Sequence, residues 1–176
     1  MNSYFTQKSE ELFQAEGDVV NFSKTDFDTL VSAALHNTNH KARVCTHPSN
    51  SELLHEMFIV HTRETYVRPH RHQKRREGMI IFEGVADMVI FSDNGTIRQV
   101  IRLDKSSFYQ RLNESFYHML LIRSDFLAFY EATTGPFNPE ETQYASWSPP
   151  LSDKLAVSKF IKNVEKEILS IRADIL

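Results

Sequence analysis

Short runs of alternating or continuous apolar residues fill the middle of the chain. They are rich in β-branched and aromatic residues and end at turn signals such as Asp93-Asn94-Gly95. Many short strands at this spacing predict a sandwich or barrel rather than a parallel α/β sheet. We therefore expect residues 41–150 to form one all-β domain. The strand candidates are 56–61, 64–72, 77–83, 85–91, 96–103, 115–122 and 125–132.

Both ends of the chain show a helical period instead. We expect residues 1–40 to form a helical extension, with a helix over 26–35 that Thr25 or Asp26 caps. Residues 151–176 are predicted to form an amphipathic helix that Ser152 caps, and it packs on the β-domain or on a second subunit. Its apolar stripe consists of Leu155, Ile161, Val164, Ile168 and Ile171.

Composition narrows the class of protein. The 176 residues are 41% hydrophobic and carry a net charge of −3, which gives no general attraction to nucleic acid or anionic membranes. The single cysteine, Cys45, rules out an intrachain disulfide and fits a reducing compartment. The first residues lack the apolar run of a secretory signal, and no segment reaches the roughly 20 apolar residues of a membrane helix. We expect a soluble, cytoplasmic protein that binds neither nucleic acid nor membrane.

The most informative residues are His70, His72, Glu77 and His118. A His-x-His pair on a strand points both imidazoles to one face, because side chains alternate with period two. A carboxylate soon afterwards and a third imidazole on a distant strand would complete a set of three nitrogen ligands and one oxygen ligand. Such a set suits a divalent transition metal (Fe, Mn, Ni or Zn) with open positions for substrate.

Simpler readings exist for each of these residues. Two histidines within a basic run are often solvated surface residues, and we interpret Lys74, Arg75 and Arg76 as a solvated hairpin tip. His118 lies in an otherwise apolar strand, where a hydrogen-bonded core histidine is as good an interpretation as a ligand.

Other residues share the parity of the predicted ligands. Tyr66 and Arg68 precede His70 at even spacing, so Arg68 could clamp an anionic substrate and Tyr66 could transfer a proton. Arg43 and His47 alternate around Cys45 and could line a binding pocket, whereas Cys45 fits a buried apolar role. Glu131 is a candidate acid or base if its strand turns it inward, and otherwise faces solvent.

The motifs together resemble a known family. The spacing H-x-H-x4-E-x6-G with a later histidine resembles the two cupin motifs. Further blocks over roughly residues 40–150 resemble the WbuC-type cupin fold metalloproteins. These blocks are Arg43-x-Cys45-x-His47, Tyr66-x-x-Pro69-His70-Arg71-His72, Glu83-Gly84, the Phe91 to Gly95 hairpin, Glu131 with Gly135-Pro136-Phe137, and Ala145-x-Trp147-x-Pro149.

The resemblance implies a double-stranded β-helix, that is, a jelly-roll barrel with the metal inside. It transfers ligand roles to His70, His72, Glu77 and His118, and it implies a homodimer and a genetic association with surface-polysaccharide (O-antigen type) biosynthesis. The chain departs from the second cupin motif at three positions. Asn113 and Ser115 stand where cupins usually carry Pro and Gly, and Ile122 stands where they usually carry Asn.

Three functions follow as hypotheses. The first is a metal-dependent cupin acting on a sugar or nucleotide sugar, in which a Lewis-acid metal supports isomerisation or epimerisation and Tyr66 or Glu131 moves the proton. The second is a non-catalytic sugar-binding or regulatory module that binds a sugar or another small polar or anionic ligand. The third is a metal-free, ketoisomerase-like cupin whose histidines act directly as acid and base.

Overall fold

A computed structural model describes residues 4–173 and shows two facing β-sheets with a helix on each outer side. Within the described residues the strands are β1 (Phe5–Gln7), β2 (Leu12–Ala15), β3 (Lys41–Cys45), β4 (Leu54–Thr62), β5 (His70–His72), β6 (Glu77–Glu83), β7 (Ala86–Phe91), β8 (Ile97–Leu103), β9 (Tyr109–Leu112), β10 (Tyr117–Ile122), β11 (Phe126–Thr134) and β12 (Thr142–Tyr144). The helices are α1 (Lys24–His36) and α2 (Lys154–Ala173).

The two sheets form the jelly-roll core. Sheet A has the order β1-β2-β3-β4-β11-β6-β9, and sheet B has the order β12-β5-β10-β7-β8. All neighbouring strands are antiparallel except β2 and β3, which run parallel. Within residues 4–173 the sheets remain separate and do not close into a continuous barrel. The predicted all-β jelly-roll with flanking helices is confirmed.

The central core lies between the sheets because alternate residues of each strand point inward. Sheet A contributes Ile59, Met79 and Phe129, and sheet B contributes Met88 and Leu120. The intervening residues of each strand point outward, and a helix covers them on each sheet. The sandwich therefore has four layers in the order α1, sheet A, sheet B and α2.

Helix α1 covers the outer face of sheet A, where Leu30 and Ala34 pack against Val44 and Val60. The helix begins two residues earlier than predicted, and its N-cap is Ser23 rather than Thr25 or Asp26. Asp26 instead occupies the N3 position of a capping box, in which its carboxylate accepts a hydrogen bond from the Ser23 backbone. The N-terminal extension also contains strands β1 and β2, which the sequence analysis did not predict.

Helix α2 covers the outer face of sheet B of its own chain, where Val164 and Ile168 pack against Val89 and Phe91. It begins after Asp153, whose side chain accepts a hydrogen bond from the backbone N–H of Ala156, so Asp153 takes the capping role predicted for Ser152.

The predicted apolar stripe of α2 is wrong at its first position. Leu155 is 84% exposed, and Val157 is buried instead. Among residues 4–173, no helix combines the length and apolar character needed to cross a bilayer.

Candidate metal centre

Three histidines meet between the sheets on the inner face of sheet B. His70 and His72 are alternate residues of β5, and His118 lies opposite His70 in the neighbouring strand β10. Alternation places His118 on the same side as Leu120 and Ile122, which point into the central core. One ring nitrogen of each histidine lies within 4.8 Å of the others. His118 therefore points inward, into the space between the sheets.

The outer ring nitrogen of each histidine is already engaged. The Nδ1–H of His70 donates to the Arg68 carbonyl at 2.8 Å, and the Nδ1–H of His118 donates to the Phe116 carbonyl at 3.0 Å. His72 Nδ1 lies 3.2 Å from the Thr142 hydroxyl. Because a carbonyl can only accept, the proton of neutral His70 and His118 sits on Nδ1, and Nε2 carries a free lone pair. This is the arrangement found in histidines that bind metals.

Glu77 faces the three histidines from sheet A. It opens strand β6, and its carboxylate oxygens lie 2.9 Å from His118 Nε2 and 3.3 Å from His72 Nε2. Burial alone would raise the pKa of Glu77, but its hydrogen bonds with His118 and His72 outweigh burial and lower the pKa. Glu77 is therefore a carboxylate near neutral pH.

The charge of Glu77 in turn changes the pKa of His118. Burial opposes the charged form of His118, but the hydrogen bond and negative charge of Glu77 outweigh it and raise the pKa of His118. His70 lacks such a partner, so burial, followed by the nearby His118, lowers its pKa to about 3. The site contains one buried negative charge surrounded by imidazoles.

The three histidines could hold a metal ion, and Glu77 lies beside them. Glu77 Oε1 is buried, and His118 Nε2 lies 2.9 Å away. When His118 is neutral with its proton on Nδ1, this hydrogen bond is lost and two lone pairs face each other, and a cation shared between them would satisfy both. Within residues 4–173, these three histidines form the only cluster of at least three His, Cys, Asp or Glu side chains close enough to share an ion.

Glu131 lies on the inner face of sheet A next to this cluster. It belongs to β11, where it is opposite Met57 and Met79, both of which pack in or against the central core. Burial, followed by the negative charge of Glu77, raises the pKa of Glu131 to about 8. Glu131 therefore has the inward orientation on which its predicted acid or base role depends.

Arg43 and His47 lie further along the inner face of sheet A. Arg43 is opposite Ile59, a central core residue, and its guanidinium is close enough to Glu131 to affect the pKa of that carboxyl. His47 is buried and stacks on His55 with ring centroids 4.1 Å apart, while its Nδ1 lies within hydrogen-bonding distance of the Glu56 backbone. Arg43 is exposed on the inward-facing row of β3, whereas His47 is occupied by structural contacts.

Tyr66 and Arg68 do not face the cluster, contrary to the parity argument. The Tyr66 ring packs near Phe160 of α2, and its hydroxyl donates to the Pro149 carbonyl at 3.2 Å. Arg68 donates to the Ser148 side chain and to the carbonyls of Ala145 and Ser148.

The reason lies in the backbone before β5. Residues 63–69 are not a strand, and β5 begins only at His70, directly after Pro69. Parity holds only while a strand is continuous, and a proline restricts the residue before it. Val67 packs against the central core, so Tyr66 and Arg68 on either side of it point outward.

The sequence analysis did not predict the contacts of two residues near the site. Arg75 was interpreted as solvated, but its side chain is 8% exposed, donates to the Asn138 carbonyl and lies over the Phe137 ring. Thr142, which contacts His72, lies on the three-residue strand β12. The alternation of Thr142 and Tyr144 was the available signal for this strand, and no local pattern predicted the packing of Arg75.

The departures from the second cupin motif leave His118 in place. The turn containing Asn113 and Ser115 still leads into β10, and Ser115 Oγ is buried without a hydrogen-bond partner. Ile122 is 5% exposed and packs in the central core. An apolar side chain at this position therefore extends the core instead of the polar lining.

The amino-acid sequence matches a family model over less than half of the chain. A family model described as a domain of unknown function (DUF6016) matches residues 22–103, a segment that contains His70, His72 and Glu77 but not His118. A search of curated proteins finds no match.

Two solved structures, with TM-scores of 0.51 and 0.50, have a similar architecture. A protein from Shewanella oneidensis is 9% identical with a TM-score of 0.51, over 66% of this chain and 82% of that one. CapF, solved with the inhibitor 3-isopropenyl-tropolone, is 10% identical with a TM-score of 0.50, over 62% of this chain and 32% of its own. Oxalate decarboxylase from Bacillus subtilis is 16% identical with a TM-score of 0.44, over 53% of this chain and 24% of its own.

Because the first two are at most 10% identical to this chain, their similarity shows the fold alone. The chain spans about a third of CapF and a quarter of the decarboxylase. The fold and the convergent histidines define the class: this is a protein of cupin fold with a candidate metal centre between its two sheets.

Proposed function

We propose that this protein is a metal-dependent cupin enzyme that isomerises or epimerises a small polar substrate, a sugar or a nucleotide sugar. The observation that carries the proposal is the meeting of three histidines with the buried Glu77 carboxylate, whose Oε1 lies 2.9 Å from His118 Nε2. Such a site is costly to bury unless a bound ion or ligand compensates for it. We therefore infer that the site is functional.

His70, His72, His118 and Glu77 would hold the ion, and this set of donors suits Fe, Mn, Ni or Zn. When bound, a divalent metal supplies Lewis-acid polarisation of a substrate carbonyl or hydroxyl oxygen. The carbonyls of Arg68 and Phe116 hold the rings of His70 and His118 with Nε2 pointing inward.

Glu131 is the residue we assign to proton transfer. It lies on the inner face opposite the histidines, and its pKa of about 8 keeps both protonation states accessible near neutral pH. Tyr66 is not assigned this role, because its hydroxyl is bound to Pro149 on the other side of sheet B. Arg43 is the substrate-binding residue, since it lies on the inward-facing row of β3 and lines a small cavity there.

The setting of this activity is proposed from the sequence resemblance to the WbuC-type branch. The motif blocks from Arg43 to Pro149 support a cytoplasmic role in surface-polysaccharide (O-antigen type) biosynthesis by a homodimer.

A second candidate function is metal-free acid–base catalysis of a ketoisomerase type. The 2.9 Å separation between Glu77 and His118 favours it, because a carboxylate–imidazole pair at this distance can hold and transfer a proton without an ion. A non-catalytic sugar-binding module would use the same interior.

Deuterium exchange distinguishes these functions. Purified protein loaded with Fe, Mn, Ni or Zn is incubated with nucleotide sugars in D₂O, and carbon-bound deuterium and new anomeric signals are followed by NMR. We expect exchange in the metal-loaded protein and its loss in His118→Ala and Glu131→Gln. Exchange that survives complete metal removal would support the metal-free candidate, and binding without exchange would support the non-catalytic module.

A further inference from the structure

A small polar cavity opens on the inner face of sheet A, where strands β3 and β4 pair. Lys41 is opposite His61 in this pairing, and Arg43 is opposite Ile59. The cavity measures about 80 Å³. This is room for a few water molecules, the size of one phosphate or carboxylate group and not of a sugar ring. Its lining residues are Glu11, Lys41, Ala42, Arg43, Ile59 and His61.

Arg43 lines the cavity and is exposed to solvent. Its guanidinium forms no hydrogen bond or ion pair with any residue between 4 and 173. By contrast, Lys41 Nζ lies 3.7 Å from Glu11 Oε2, so the charge of Lys41 is partly compensated. A free arginine fork beside a cavity matches the two oxygens of a carboxylate or phosphate.

His61 supplies a second unused polar group. Its Nδ1 is buried without a hydrogen-bond partner, and its ring meets Phe129 edge-on at 5.4 Å between centroids. Burial, followed by Lys41 and Arg43, lowers the pKa of His61 to about 3, so the ring is neutral. A neutral imidazole can donate one N–H to an anion, which would satisfy the buried nitrogen.

The cavity lies on the same face of sheet A as Glu131, the residue assigned to proton transfer. Arg43 belongs to the inward-facing row of Ile59 and Phe129, and Glu131 belongs to the next inward-facing row. Two strand spacings and one two-residue step separate the Cα atoms of Arg43 and Glu131 by about 12 Å. The Arg43 side chain spans much of this distance, which agrees with its electrostatic effect on Glu131.

We propose that this cavity binds the anionic group of a substrate, a phosphate or a carboxylate, through Arg43 with His61 as a second donor. The substrate is then a small acidic molecule whose anionic end lies at Arg43. The link between the anion and the reaction rests on the proposed function of the metal centre. Anion binding itself does not.

The test is isothermal titration of the full chain with inorganic phosphate and, separately, with acetate. The variants are Arg43→Gln, Arg43→Lys and Glu11→Gln. Arg111→Gln is the matched control, because Arg111 is exposed and lies on the edge strand β9. Thermal unfolding checks that each variant is folded, and metal content is measured on the same samples.

We expect saturable binding in the wild type that Arg43→Gln weakens about tenfold or more, as for loss of a charge-assisted hydrogen bond. Arg111→Gln should bind like the wild type, and Arg43→Lys should retain part of the affinity. Glu11→Gln should bind more tightly, because the competing carboxylate is removed and Lys41 is released. A preference for phosphate or for acetate identifies the anion.

Two results would overturn the proposal: no saturable binding of either anion, or binding that Arg43→Gln and Arg111→Gln affect equally. The His70→Ala variant separates this proposal from that for the metal centre. If it loses metal and still binds the anion, the cavity acts independently of the ion. If the wild type contains metal but binds no anion, the cavity proposal fails and the metal centre stands.

Discussion

Asp87 is predicted to fix helix α2 to sheet B. Its side chain is fully buried, and its two oxygens accept hydrogen bonds from Arg123 Nε at 2.7 Å and from Arg172 Nη2 at 2.6 Å. Arg172 belongs to the last turn of α2, so this carboxylate connects the helix end to strand β7. The helix in turn covers the outer face of the sheet that carries His118.

The magnitude follows from burial. Removing one partner of a fully buried ion pair costs about 3–5 kcal/mol. Here the side chains of Arg123 and Arg172 are 26% and 42% exposed, and Arg123 retains Glu165 at 2.8 Å. Solvent therefore compensates both cations in part, and we expect Asp87→Asn to lower the free energy of unfolding by about 2–3 kcal/mol. Arg172→Ala, which removes the more exposed partner, should cost about 1 kcal/mol or less.

Urea denaturation followed by tryptophan fluorescence measures this effect. The only tryptophan, Trp147, lies 6.1 Å from the Phe160 ring of α2 and 5.1 Å from the Phe91 ring of sheet B. It therefore reports whether α2 is docked. For Asp87→Asn we expect an earlier midpoint and a melting temperature lower by about 4–10 °C. A change in unfolding free energy below about 0.5 kcal/mol, the range of ordinary surface substitutions, would refute this reasoning.

Three further predictions follow from other features. Gly84→Ala should lower the unfolding free energy by about 2–4 kcal/mol, since Gly84 has φ +95° and an added Cβ would overlap the Phe126 carbonyl. Gly17 is the control, because it has φ +94° and nothing lies within 4 Å of an added Cβ. Gly17→Ala should therefore cost only the backbone strain of a positive φ, about 1 kcal/mol. Stability should fall as the pH drops from 6.5 towards 3, because His61 has a pKa of about 3 when folded and 6.5 when unfolded, so the unfolded chain binds more protons in this window. Urea midpoints across this pH range should fall less steeply in His61→Gln than in the wild type. An equal slope in the two proteins would contradict the inference that His61 causes the loss of stability. A metal ion at about 100 times its dissociation constant should stabilise the wild type by about 2.7 kcal/mol in thermal unfolding. The same ion should leave the stability of His70→Ala unchanged. Equal shifts of the melting temperature in both proteins would place the ion elsewhere.

Strands bounded by clear turns were predictable from the sequence. The prediction for β6 matches the structure at both ends, and that for β7 at all but its first residue, because the runs are apolar and end at Gly84 and at the Asp93-Asn94-Gly95 turn. The inward orientation of His118 followed from Leu120 and Ile122 on the same strand.

What failed depended on contacts or breaks that periodicity does not encode. The parity argument joined Tyr66 to His70 across a segment that is not a strand. Arg75 is buried through Phe137 and Asn138, which lie more than sixty residues away, and no local pattern indicates that contact. Strands β1, β2 and β12 have three or four residues each, too few for a period-two pattern to stand out.

The measurement that tests the central claim most directly is the metal content of the purified protein and of its histidine variants. His55→Ala is the matched control, because His55 is buried but lies outside the cluster of His70, His72 and His118. The account predicts about one transition-metal ion per chain in the wild type and in His55→Ala, as expected for one set of four donors, and its loss in His70→Ala and His118→Ala. A wild-type protein that takes up none of Fe, Mn, Ni or Zn, or cluster variants that retain the ion, would contradict it.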